Sequence, residues 1–308
     1  MKPILLTTGT QPGGRPPAAV EIAPEGVLAA ALPAPGGQPV YAFQQLPPGA
    51  ILPGIGEPNL RAPETVAEAI RTTLGQVSPR SRSVTLVLPD TIVRVFVLDF
   101  DSLPSKPAEA FPVLRFRLRK MVPFEVEHAG LSYQVLTENR NECKVLAAVL
   151  PGPVLAEYES AVRAAGYEPG AVLPSSLAAL ETVDSMEAVL IANLSPLSLT
   201  TSIASGQNLL LYRTLDLPDE SALRGDEVRR GVAVAAAYFE DKLGSKATRL
   251  HFAGSTPGAG SSAETFERWL SDPTLSVVEL APRPSTGAIT PLGNASIAGV
   301  AGALAGVR

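Results

Sequence analysis

The chain has 308 residues, 45% of them hydrophobic, with a net charge of −5, one cysteine and two histidines. That is long enough for roughly two domains of about 150 residues and too apolar for a disordered polymer, while the negative balance argues against whole-molecule attraction to nucleic acid. The lone Cys143 cannot form an internal disulfide and fits a reducing compartment, and two histidines without a cysteine cluster do not make a transition-metal site.

At the N-terminus, "MKPILLTTGTQPGGRPP" interrupts its short apolar run with threonine, glycine and proline, which is not a signal-peptide pattern. No apolar run approaches the ~20 residues that cross a bilayer, so the chain is expected to be soluble and intracellular. Strands are predicted around 20–32, with loops at 36–39 and 47–58. Residues 64–74 place Val66, Ile70 and Leu74 on one helical face behind Pro63, and Gly75 can end that helix. "SVTLVLP" from Ser83 reads as a short buried strand. "IVRVFVLDF" alternates Val93, Val95 and Val97 against Arg94, Phe96 and Leu98, a strand with two covered faces. After a helix come "GLSYQVLTE" and "CKVLAAVLP", a hairpin across "NRNE". Pro153 opens a helix burying Leu155, Tyr158, Val162 and Ala165, with Gly166 as a left-handed cap.

The order strand, helix, strand, strand, helix over 92–166 is a compact α+β unit. Beyond it, "AVLIANL", "LSLTTSIA" and "NLLLYRTLDL" read as three successive strands, and 227–243 as a long helix ended by Gly244. "ATRLHFAG" is a further strand, "SAETFERWLS" a helix behind Ser261 with capping-box spacing to Glu264, and "SVVEL" a strand before a small-residue helix from Asn294. His251, Trp269 and Cys143 are expected in the core rather than in chemistry.

"RFRLRKMVPFEVE", residues 115–127, is the segment densest in cations. On a helix over 112–122, Leu114, Leu118 and Met121 share a face. Arg115 and Arg119 fall on one flank of that face, and Arg117 and Lys120 on the other. This is the pattern of a solvated flank beside a buried stripe, with a partner-binding surface as the second reading; it is not a phosphate grip. Amphipathic basic helices also lie on membranes, but here the apolar stripe is needed by the neighbouring strands.

That helix, ending "VPFEVE" and followed by "LSYQVL" and "CKVLAAVLP", resembles the PilM family of type IV pilus assembly proteins, of the actin-like ATPase superfamily. The resemblance runs from about 19 to 306 as an order of individually weak motifs. "AVEIAPEGVLAAAL" is similar to the first phosphate hairpin, and "LIANLSPLSLTTSIASGQNLLLYR" to the second with its arginine strand. "LHFAGSTPGAG" is similar to the adenosine loop, and "ASIAGVAGALAG" to the closing helix. The cytoplasmic region of the type II secretion protein GspL shares this architecture. The resemblance implies an α/β, actin-like (ribonuclease H-like) fold of two domains with an inserted α+β subdomain. The first domain would span 1–90 and 167–186, the insertion 91–166 and the second domain 187–308.

The resemblance also implies a nucleotide site between the domains, where the residues depart from the family pattern. The first hairpin, in which the family has an aspartate and then a glycine two residues on, reads Glu21 and Ala23, followed by Pro24. Ala23 adds a Cβ at the point of closest approach and Pro24 removes an N–H donor. In the second hairpin Asn193 replaces the acid, Ser195 the glycine, and Pro196 removes another donor. A neutral asparagine is no general base and a weaker Mg²⁺ ligand than a carboxylate. Gly254 and Gly258 keep a glycine-rich adenosine loop, which is equally a flexible turn.

The expectation is therefore a degenerate nucleotide site at Glu21, Asn193, Ser195, Gly254 and Gly258, with no catalytic residue, no metal and no ATP turnover, weak ATP binding without turnover being the second reading. The implied function is a non-catalytic cytoplasmic scaffold, peripheral to the inner membrane through a partner, without nucleic acid and without direct membrane insertion. It would hold the N-terminal cytoplasmic tail of a bitopic inner-membrane pilus protein in a groove between the insertion and the first domain, around Arg94, Phe96, Phe116 and Arg119. The alternative is an active actin-like ATPase with Glu21 and Asn193 around Mg²⁺. A small-molecule phosphotransferase of the same superfamily ranks last, because the substrate-side carboxylates are missing.

Overall fold

The computed structural model describes residues 15–34, 36–56, 58–183, 185–206, 208–218, 220–256 and 262–307. The first domain opens with β1 (Ala18–Ala23), β2 (Gly26–Ala31) and β3 (Val40–Gln45), then α1 (Pro63–Val77) and β4 (Ser83–Leu88). Proline in the first turn of α1 costs no hydrogen bond there. Gly75 does not end this helix. The buried stripe of Val66, Ile70 and Leu74 continues to Val77, and the turn comes at Ser78 with φ +48°.

The insertion follows as β5 (Arg94–Phe100), α2 (Pro107–Leu118), β6 (Gly130–Glu138) and β7 (Cys143–Leu150), an antiparallel sheet in the order β5-β7-β6. α2 starts upstream of the predicted position. Ala110, Leu114 and Leu118 form its buried stripe at four-residue spacing, which leaves Pro112 inside the helix and Met121 exposed beyond its end.

Next come α3 (Gly152–Ala164), β8 (Glu168–Pro174) and the short α4 (Ser175–Ala179). The sequence groups α3 with the insertion; its Leu155, Tyr158 and Val162 share a core with Val66, Ile70 and Leu74 of α1, so it lies against the first domain. The first sheet runs β3-β2-β1-β4-β8, with the first three strands antiparallel and β4 and β8 parallel to β1.

The second domain repeats this plan. β9 (Ala188–Leu194), β10 (Ser198–Ser205), β11 (Asn208–Asp216), α5 (Ser221–Leu243), β12 (Arg249–Gly254), α6 (Ser262–Leu270) and β13 (Ser276–Glu279) build a sheet ordered β11-β10-β9-β12-β13. Gly244, at φ +67°, ends α5. Ser261, expected to cap α6, lies outside the described residues.

The chain then returns to the first domain. Tyr41 N donates to Gly287 O at 2.8 Å and Ile289 N to Tyr41 O at 2.8 Å, covering the free edge of β3. α7 (Ala298–Ala305) packs on α4 and β1, so close that a Cβ on Gly302 would lie 1.8 Å from Ala178 O. The small residues of this last helix serve internal packing. Among the described residues no helix is long and apolar enough to cross a membrane.

Candidate functional site

The twin sheets face each other across a crevice at the carboxyl ends of their central strands, the usual ligand position in such folds. Glu21 pairs with Leu28 and Val87, and Asn193 with Thr200 and Ala253, so the two residues hold matching places in the two sheets. Each lies on the strand that enters a phosphate-type hairpin.

Glu21 accepts a hydrogen bond from Ser175 Oγ at 2.6 Å on Oε1, whereas its buried Oε2 has no partner among the described residues. Burial pushes this carboxyl up to about 7, against the pull of Ser175; the charges of Asp90 and Glu25 add to the rise. α7 presses on the same carboxylate, since a Cβ on Gly299 would sit 2.5 Å from Oε2.

Asp90 follows β4 and is 6% exposed. It accepts from Ser176 N at 3.0 Å, from the Ser176 hydroxyl, from Thr200 Oγ1 at 3.3 Å and from Tyr212 OH at 3.4 Å. Burial raises its pKa while these donors oppose the rise. Thr200 and Tyr212 belong to the second domain, so one first-domain carboxylate gathers donors from both sides. Asn193 Nδ2 joins the same network through Ser176 Oγ at 2.9 Å. The residue expected near metal or water therefore serves as a donor across the cleft.

Ser195 occupies its own hairpin. Its Oγ accepts Leu197 N at 3.3 Å and Ser198 N at 3.0 Å, two backbone donors of the hairpin, and lies 2.9 Å from Ser198 Oγ. Gly254, at φ +124°, makes room for β9: a Cβ there would stand 2.0 Å from Leu194 O. Gly258 lies outside the described residues. What remains between Glu21, Pro24, Asp90, Asn193, Ser195 and Gly254 is a cavity of about 80 Å³, against the roughly 300–1,000 Å³ of typical small-molecule sites.

The four residues expected at a docking surface are not brought together. Arg94 donates to Thr91 O at 2.9 Å and lies 3.9 Å from Asp216 of β11, tying the insertion to the second domain. Phe96 packs half-buried against the core of the insertion. Phe116 stands on the outer side of α2, 72% exposed, and Arg119 pairs with Glu127 at the surface. Along α3 lies a different feature, two adjoining hollows that share Pro153 and Ala156, only the smaller of which reaches the insertion. One, of about 430 Å³, borders His128, Ala129 and Gly130 of the insertion; the other, of about 860 Å³, borders Leu60, Pro63 and Ala67 beside α1.

Comparison of the whole fold with solved structures matches PilM in a PilM–PilN type IV pilus biogenesis complex. The TM-score is 0.75 at 18% identity, covering 96% of this chain and 100% of that one. The chain is PilM-like in fold. The cytoplasmic domain of EpsL, an inner-membrane component of the type II secretion system of Vibrio cholerae, aligns at TM-score 0.49 and 13% identity over 82% of this chain and 93% of that one. A Bacteroides thetaiotaomicron protein with an actin-like ATPase fold and unknown function aligns at 0.47 and 10% identity over 88% and 94%. No protein-family model matches the sequence, and no curated protein matches it significantly. The PilM-like fold is the actin-like, ribonuclease H-like pair of domains with an inserted α+β unit expected from the sequence.

Asp90, Ser175, Ser176, Thr200 and Tyr212 escaped the sequence reading. Asp90 and Ser175 each directly follow a proline at the carboxyl end of a parallel strand, with Ser176 one residue later, the one signal that could have found them.

Proposed function

We propose that this PilM-like chain is a non-catalytic scaffold of a type IV pilus or related type II secretion machine, holding the cytoplasmic N-terminal tail of a bitopic inner-membrane partner. The observation that carries the non-catalytic half is Ser195, whose hydroxyl already takes the hairpin N–H groups a phosphate would need. The small cavity, the unpartnered and proton-retaining carboxyl of Glu21 and the absorption of Asn193 into a cross-domain bond argue the same way. On this reading the residues do not fit Mg²⁺ with a triphosphate, and no step of the function runs through one.

The partner half rests on the likeness to PilM, solved as a complex with PilN, and on the groove along α3. Its floor of Ala67, Ala156, Ala161 and Ala164 leaves room for apolar side chains of an extended peptide. Its rim carries Glu64, Glu157 (bonded to Asn59 N and Leu60 N) and Glu68 paired with Arg71, a net acidic edge, and cytoplasmic segments next to a membrane span carry an excess of lysine and arginine. This reading seats the tail on α3 rather than around Arg94, Phe96, Phe116 and Arg119, and places the protein at the cytoplasmic face of the inner membrane.

The test combines two titrations of the intact protein. Synthetic N-terminal tails of candidate bitopic partners should bind, and scrambled tails should not. Millimolar Mg-ATP should leave the melting temperature unchanged, whereas a nucleotide at 100 times its Kd would add ~2.7 kcal/mol. ATP turnover without tail binding would favour the ATPase alternative and end the scaffold reading.

A further inference from the structure

α2 meets its own core through Ala110, Leu114 and Leu118, yet the helix is not polar on its other side. Val113 and Phe116 turn outward, 37% and 72% exposed, and Met121, just past the helix, is 40% exposed. Arg117, and Lys120 in the following turn, fall with Val113 and Phe116 in one arc of roughly 100°. Neither cation has a hydrogen-bond or ion-pair partner among the described residues. Of the five cations between 106 and 121, Lys106 pairs with Glu109, Arg119 with Glu127, and Arg115 donates to Ala129 O, which leaves Arg117 and Lys120 on a chain whose total charge is −5. Single exposed apolar residues are ordinary; Phe116 and Val113 sharing one arc with two unpaired cations are a patterned surface.

We infer that this outer face of α2 rests on an anionic lipid surface. Phe116, flanked by Val113, enters the boundary between headgroups and acyl chains, and Arg117 and Lys120 meet lipid phosphates. A flat anionic plane engages the apolar and cationic groups of a convex helix together, and it repels the rest of a net-negative chain, so the contact also orients the molecule. The buried stripe stays in the core throughout, so adsorption requires no unfolding. A single amphipathic face of this size gives reversible binding rather than an anchor. The inference stands apart from the tail-binding reading, because it concerns a different surface and a different ligand.

Co-sedimentation of the full chain with vesicles, no tail peptide present, tests it. Phosphatidylglycerol–phosphatidylethanolamine vesicles should retain the wild type at least about tenfold better than phosphatidylcholine vesicles, with the difference shrinking at about 0.5 M salt. Phe116→Ser should lower retention several-fold at constant charge, and Arg117→Glu with Lys120→Glu should abolish it, with melting temperatures near wild type because all three positions are exposed. Absence of retention, retention indifferent to these substitutions, or binding of an acidic peptide on this face while vesicles are ignored would each overturn the assignment.

Discussion

Asn193 and Asp90 lie on opposite sides of the crevice and share one hydroxyl: Ser176 Oγ receives Asn193 Nδ2 at 2.9 Å and donates to Asp90. The two halves are joined here through this relay and the bonds of Thr200 and Tyr212 to the same carboxylate.

Asp90→Ala should destabilise the protein by about 2 kcal/mol in urea unfolding, because Ser176 N, Thr200 and Tyr212 lose a buried acceptor. Hydrogen exchange should quicken at β10 and β11, since the relay ties the second domain to the first. A cycle with Tyr212→Phe should show coupling of about 1 kcal/mol; strict additivity would mean that the 3.4 Å contact carries no energy.

Glu21 should make stability depend on pH. Its carboxyl titrates about 7 when folded, against an ordinary 4.5. Below the lower value both states are protonated and nothing is lost. Between the two the unfolded chain releases a proton that the fold keeps, so stability falls as pH rises, and above the upper value the loss is complete, at most about 3 kcal/mol. Asp90, raised in the same direction, adds to the slope, so the measurement is the difference between wild type and Glu21→Gln. That difference should be near zero at low pH and should favour the variant above neutrality. A constant difference across the range would show that Glu21 ionises normally.

Ala156→Arg places a long cation in the groove at the point the two hollows share. It should weaken tail binding by about tenfold or more, a change of roughly 1.4 kcal/mol, with the melting temperature little changed. Unaltered affinity, in a titration where the wild type binds, would move the tail elsewhere.

Gly302→Ala should be far more damaging than its size suggests. The new Cβ meets the backbone oxygen of Ala178 at 1.8 Å, an atom that cannot swing aside, and α7 must lift from α4 to admit it. A loss of about 2–3 kcal/mol is expected. Gly244→Ala, with open space around it, carries only the strain of its φ of +67° and should cost about 1 kcal/mol.

The architecture was legible because it is written in local patterns. The alternation of Val93, Val95 and Val97, the spacing of Val66, Ile70 and Leu74, and the turns at Gly166 and Gly244 each answer to neighbours a few residues away. β3 lies between Pro39 and Pro47, where turn signals mask a strand, and a glycine tolerated inside a helix, as Gly75 is, looks the same in sequence as one that ends it. The cleft was legible in what it lacks, the glycines and the second acid, and not in what it holds. Asp90 meets Thr200 and Tyr212 across separations of 110 and 122 residues, and no periodicity announces such a partner. The burial that lifts Glu21 is likewise a property of packing by α7, which arrives at the far end of the chain.

That late return of the chain has a mechanical meaning. The second lobe is sewn into the first at two seams, one running from α4 into β9 and one running from β13 along β3 into α7. A lobe on a single tether is free to swivel, whereas one held at two places has that rotation restrained.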